Sequence, residues 1–127
     1  FLTYEKKMLK LASAGHCPAL LLNPETNETV SLQAEGMPLG IDPNDIYEER
    51  LIPMKEGSRL LFLTDGIYEA ENLSGDMLGI ERLRKALPDF WKDGLEQVPA
   101  KAFSYVKQFS QGNSASDDQT LMALEIL

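Results

Sequence analysis

The string Arg59-Leu60-Leu61-Phe62-Leu63-Thr64 constrains the fold more than any other part of the chain. It is short and apolar almost without a break, and it runs straight into Asp65-Gly66. Such a run predicts a strand covered on both faces, which places it in the interior of a sheet. Residues 120–127, at the far end of the sequence, have similar character and are expected beside it in one sheet.

The first third supplies further strands. Residues 8–14, 19–22 and 29–32 are short apolar stretches, and Asn23-Pro24-Glu25-Thr26-Asn27 separates the last two. That spacing predicts successive antiparallel strands joined by hairpins. The opening Phe1-Leu2-Thr3-Tyr4 reads as a strand already under way and suggests an excised fragment. Gly36-Met37-Pro38-Leu39-Gly40 predicts an irregular loop, followed by an acidic stretch over 42–49 that reads as a solvated face.

After Gly66 the period changes. Ile80, Leu83, Arg84 and Leu87 recur at helical spacing, and Pro88 is expected to end that helix. A second helix is predicted over 95–109, where Val98, Ala102, Tyr105, Val106 and Phe109 share a face and Pro99 falls in the first turn. Residues 111–116 form a loop that leads into Asp117-Asp118 and the last strand. The sum is one α+β domain with a mainly antiparallel sheet, two helices and no internal repeat.

Charge and cysteine usage exclude several function classes. The net charge of −8 opposes attraction to a phosphate backbone, which argues against nucleic acid. Cys17 is the only cysteine, so neither an intramolecular disulfide nor a multi-cysteine zinc site can form, and a reducing cytoplasmic setting fits. No apolar run approaches the length of a membrane-spanning helix.

The side chains that could carry chemistry sit at strand ends. Asp65 follows the buried strand, where its carboxylate is either part of an Asp-Gly turn or a ligand held by a rigid element. Asp117 and Asp118 precede the last strand, as solvated loop acids or as donors to a shared divalent cation. His16 is the only histidine, so it has no partner for a histidine metal cluster and reads as structural. The glycines build no phosphate-cradling loop.

Four strings in order sharpen these alternatives: Ala14-Gly15-His16, Gly36-Met37-Pro38-Leu39-Gly40, Leu63-Thr64-Asp65-Gly66-Ile67-Tyr68-Glu69-Ala70, and Asp117-Asp118-Gln119-Thr120-Leu121. Together they resemble the SpoIIE-like bacterial branch of the PPM-type protein serine/threonine phosphatases, and the likeness covers nearly the whole chain. It implies an α-β-β-α sandwich of two antiparallel sheets, of which residues 1–127 would be the C-terminal part, the N-terminal part being absent. It also implies two divalent cations, Mn2+ or Mg2+, with Asp65 and Asp117 matching metal-binding aspartates and Asp118 in the neighbouring position.

The reaction implied is hydrolysis of phosphoserine or phosphothreonine by direct attack of a metal-activated water, without a phosphoenzyme. The implied substrate is a phosphorylated bacterial signalling protein such as an anti-sigma factor antagonist. Sensor or receiver domains are expected upstream, and a fragment this size is expected to bind metal weakly, to turn over little substrate, and to be able to form a homodimer. The competing reading is a catalytically silent phosphatase-like module that binds a regulatory partner. Cys17 stands where the family often has proline, and Ser58 where it often has aspartate.

Overall fold

The computed structural model describes residues 2–5 and 7–127, which form the strands β1 (Leu2–Glu5), β2 (Met8–Leu11), β3 (Ala19–Leu22), β4 (Thr29–Leu32), β5 (Arg50–Pro53), β6 (Arg59–Leu63) and β7 (Leu121–Glu125). The helices are α1 (Asp65–Tyr68), α2 (Ile80–Phe90) and α3 (Val98–Ser110). Phe1, the start of the expected opening strand, lies outside the described residues.

The strands make two antiparallel sheets, one in the order β1-β2-β5 and one in the order β4-β3-β6-β7. The interior position expected for β6 is observed: it pairs with β3 through Leu20↔Leu61 and with β7 through Leu61↔Ala123 and Leu63↔Leu121. Alternation along β6 feeds two different cores. Leu60 points into the cluster between the sheets, with Leu9, Met54 and Ile126, while Leu61 and Leu63 face α2 and α3. All three leucines are 2% exposed or less, so β6 is wedged between both layers.

Several expectations need correction. Hairpins join β1 to β2 and β3 to β4, but β2 and β3 belong to different sheets, so residues 12–18 carry the chain across the sandwich and the strand expected over 8–14 stops at Leu11. Strand β5 was not anticipated; it pairs with β2 as an edge strand, and its mostly exposed Arg-Leu-Ile-Pro sequence carries no clean apolar alternation. Pro88 does not end α2, which continues to Phe90. In the last turn, proline forfeits only one backbone bond, and the burial of Leu87, Phe90 and Trp91 against the sheet outweighs it. The second helix begins as a single 3-10 turn at Leu95–Gln97, with Pro99 in the first turn of α3 as expected.

Ser58, at the position noted as a departure from the family pattern, is 5% exposed and buried at the entrance to β6. Its hydroxyl accepts the Lys55 N–H at 3.0 Å, and its carbonyl accepts the Ile126 N–H at 2.9 Å. The side chain thus closes the tight turn that an aspartate could also close, and the substitution leaves β6 in place.

Candidate functional site

Strand β6 determines where Asp65 lies. Beyond Leu63 the chain leaves the sheet at Thr64, which holds an extended backbone (φ −86°, ψ 163°) and serves as the N-cap of α1. Asp65-Gly66 therefore opens a short helix and is not a hairpin turn, which corrects the simpler of the two sequence readings. Asp65 is solvent-exposed, and its Oδ1 accepts the Gly66 N–H at 3.0 Å, a favourable use of a carboxylate at a helix start.

The segment before β7 comes to the same place from the other end of the sequence. The Thr64 N–H donates to the Thr120 carbonyl at 3.0 Å, extending the β6–β7 ladder by one residue. The Thr64 hydroxyl donates to the Asp118 carbonyl at 3.0 Å and accepts the Thr120 N–H at 2.9 Å. Gln119 Nε2 donates to the Gly66 carbonyl at 2.9 Å. Gly66 is there because nothing larger fits: a Cβ at this position would stand 2.5 Å from the Asp118 carbonyl oxygen and 3.1 Å from that of Asp117.

The three sequence-predicted aspartates are thus carried on two backbone segments in direct contact. Asp117 and Asp118 are both exposed, and Asp117 Oδ1 accepts the Asp118 N–H at 2.7 Å. Their oxygen donors suit a hard divalent cation in kind. They do not make a complete site, since among the described residues no group of three or more His, Cys, Asp and Glu side chains is placed to hold a metal ion.

Cys17 and His16 border this end of the sheet without joining the carboxylates. The Cys17 thiol donates to the Leu63 carbonyl at 2.6 Å. Burial pushes its pKa up, and the negative charge of Asp65 pushes it further the same way, while the backbone hydrogen bonds oppose the shift. The Tyr68 phenol on α1 is also raised, first by burial and then by the nearby Cys17, Glu69 and Asp65. His16 is exposed and donates from Nδ1 to the Cys17 carbonyl at 2.8 Å.

The loop that follows β4 is clamped to the His16 turn. A Cβ on Gly15 would meet Pro38 Cγ at 2.8 Å, and one on Gly36 would meet the Ser13 carbonyl oxygen at 2.3 Å. The acids after it are not merely a solvated face. Asp45 accepts the Met37 N–H at 2.9 Å, Asp42 accepts the Asn44 N–H at 2.9 Å, and Glu48 accepts the Glu35 N–H at 3.0 Å. Sequence reasoning missed Thr64 and Gln119 as parts of the site. The available signal was a threonine at a helix start, where its hydroxyl would ordinarily cap the helix.

Comparison with known proteins follows this geometry. The profile of the family described as Stage II sporulation protein E (SpoIIE) matches residues 1–127. Phosphoserine phosphatase RsbU of Bacillus subtilis (strain 168) is 24% identical over 120 residues, which is 94% of this chain and 35% of that protein. The manganese-presoaked phosphatase domain of the cell fate determinant SpoIIE from Bacillus subtilis superposes with a TM-score of 0.75 at 15% identity, over 99% of this chain and 55% of that one. The SiaA-PP2C domain of Pseudomonas aeruginosa gives a TM-score of 0.76 at 22% identity, over 95% of this chain and 47% of that one. The two structures share the fold, and the chain spans about a third of the curated relative and about half of each structure.

Proposed function

Because the chain belongs to the Stage II sporulation protein E (SpoIIE) family, we propose that it forms the C-terminal part of a metal-dependent protein serine/threonine phosphatase domain. The substrate class is a phosphoserine or phosphothreonine on a bacterial signalling protein, such as an anti-sigma factor antagonist. The observation that carries this reading is the closure of residues 117–120 onto 64–66, which brings Asp65 and the Asp117-Asp118 pair to one end of the β6–β7 ladder. The likeness to a phosphoserine phosphatase along 94% of the chain supports it.

Asp65, Asp117 and Asp118 are the residues that would hold Mn2+ or Mg2+ here, with two cations in the complete domain. When bound, the cations supply charge neutralisation at the phosphoryl oxygens and an acidified water. The chain's own contribution is positional: β6 and β7 fix two backbone segments against each other, so the carboxylates meet a cation with little reorganisation. In this reading the carboxylates act as ligands and not as nucleophiles. The remaining ligands would come from residues beyond this chain, in the part of the domain that it does not span.

The parent protein is read as cytoplasmic, with a phosphorylated protein as its partner, an upstream sensor or receiver domain as its input, and a homodimer as a possible assembly. Among the described residues, no helix is long and apolar enough to cross a membrane. The test is manganese-dependent phosphate release from a phosphoserine protein by the parent protein, its Asp65→Ala variant and this chain alone. Activity is expected only in the unaltered parent. A parent protein inert in both Mn2+ and Mg2+, or an Asp65→Ala variant of full activity, would sink the proposal.

A further inference from the structure

The hydroxyl of Thr64 does not do what its position calls for. An N-cap threonine ordinarily offers its side-chain oxygen to an amide two or three residues on in its own helix. Here no side-chain cap bond is made, and the Gly66 N–H donates to Asp65 Oδ1 in its place. The Thr64 hydroxyl is used instead across the site, taking the Thr120 N–H and donating to the Asp118 carbonyl, 54 residues away in sequence. Gln119 mirrors this from the opposite segment, because its carboxamide reaches back to the Gly66 carbonyl inside α1.

Each bond joins the segment holding Asp65 to the segment holding Asp117 and Asp118, and each comes from the residue adjoining a carboxylate: Thr64 precedes Asp65, and Gln119 follows Asp118. The missing Cβ of Gly66 lets the two segments approach to contact. The ladder alone would leave residues 117–119 free to swing, since the β6–β7 pairing, with its one-residue extension from Thr64, reaches no further than Thr120.

We propose that the Thr64 hydroxyl and the Gln119 carboxamide are positioning residues that set the separation of the Asp65 and Asp117 carboxylates, and thereby the affinity of the divalent-cation site. The inference rests on the phosphatase reading above for the identity of the ligands, and it adds two residues whose side chains bond to the backbone of the opposite ligand-bearing segment. Groups that orient ligands from behind commonly change metal affinity by about 10–100-fold when removed. Loss of a part-exposed hydrogen bond leaves the fold largely intact, because water replaces the partner and the net loss is modest.

The test counts free Mn2+ by electron paramagnetic resonance during titration of the parent protein, alongside its thermal midpoint. Thr64→Val, which keeps the shape and removes the hydroxyl, and Gln119→Leu should each weaken Mn2+ binding by about tenfold or more. Thr64→Ser should bind within about twofold of the unaltered protein, because the hydroxyl is restored. Unchanged Mn2+ affinity in Thr64→Val and Gln119→Leu, with loss in Asp65→Asn, would overturn the positioning role and leave the phosphatase reading intact. A Thr64→Ser protein as weak as Thr64→Val would also overturn it, by assigning the effect to the methyl group. Unaltered binding in Asp65→Asn, or no binding by the parent protein, would remove the ligand assignment and both inferences with it.

Discussion

Gly66→Ala sets two effects against each other, and their sizes decide the sign. Gly66 lies in the first turn of α1 and is not among the glycines with positive φ, so the backbone itself accepts alanine. Helix propensity alone predicts that alanine stabilises the protein by up to about 1 kcal/mol. The added methyl, however, would stand 2.5 Å from the Asp118 carbonyl oxygen and 3.1 Å from both the Asp118 carbonyl carbon and the Asp117 carbonyl oxygen. All three are backbone atoms, which cannot rotate away as a side chain can. Forcing a methyl into such a contact costs about 1–3 kcal/mol, and moving the segment to relieve it stretches the bonds made by Thr64 and Gln119, each worth about 1 kcal/mol. The steric effect wins by about 1–2 kcal/mol, which for a domain of this size lowers Tm by roughly 4–8 °C. Thermal unfolding followed by circular dichroism measures it, and hydrogen exchange at the Thr120 amide should accelerate in parallel. A Tm equal to or above that of the unaltered chain would refute the reasoning, because propensity would then have prevailed and the two segments would not be in contact.

Two further outcomes test other links of the argument. Leu61 is fully buried between β3, β7 and the helices, so Leu61→Ala should destabilise by about 3 kcal/mol in urea unfolding with an unchanged m value; a loss below about 1 kcal/mol would mean that β6 is not the wedge described. Asp65→Asn removes the negative charge that helps hold the Cys17 thiol neutral, so the thiol pKa should fall and alkylation by iodoacetamide at pH 8 should quicken. The thiol should still react more slowly than a free cysteine, since burial is the larger cause of its raised pKa; an unchanged or slower rate in Asp65→Asn would place the carboxylate away from Cys17.

The parts of the fold legible in the sequence were those where one physical signal dominated. Residues 59–63 are apolar at every position after the arginine, and a run that short, closed by Asp-Gly, favours a strand covered on both faces. Val98, Ala102 and Val106 are all 3% exposed or less, and they keep the 3.6-residue period that announced α3. Legibility failed where tertiary contact overrode a local rule. Pro88 is a helix breaker in isolation, yet the burial of Phe90 and Trp91 carries α2 past it. Strand β5 exposes Leu51 at 63% and is held by pairing with β2 more than by burial, so alternation could not reveal it. At the site, Asp65 and the Asp117-Asp118 pair stood out as candidates at strand ends, but only the family resemblance favoured a ligand role over a turn and solvated loop acids. Thr64 and Gln119 were not, because their value lies in bonds between segments that no local window contains.

The β6–β7 ladder also joins parts of the chain that are made far apart in time. Its two strands are separated along the chain by α1, α2 and α3, and the bonds that close the 64–66 and 117–120 segments span 53–56 residues. Closing a loop of that length costs about 3.5 kcal/mol in chain entropy beyond the constant term, before any contact at the site is made. Docking of the helices on the sheet, through the cluster that buries Leu61, Leu83 and Val98, would shorten that loop and prepare the position that β7 takes. A chain emerging from the ribosome would hold Asp65 long before it held Asp117. On the proposed reading, ion affinity would be among the last properties to mature.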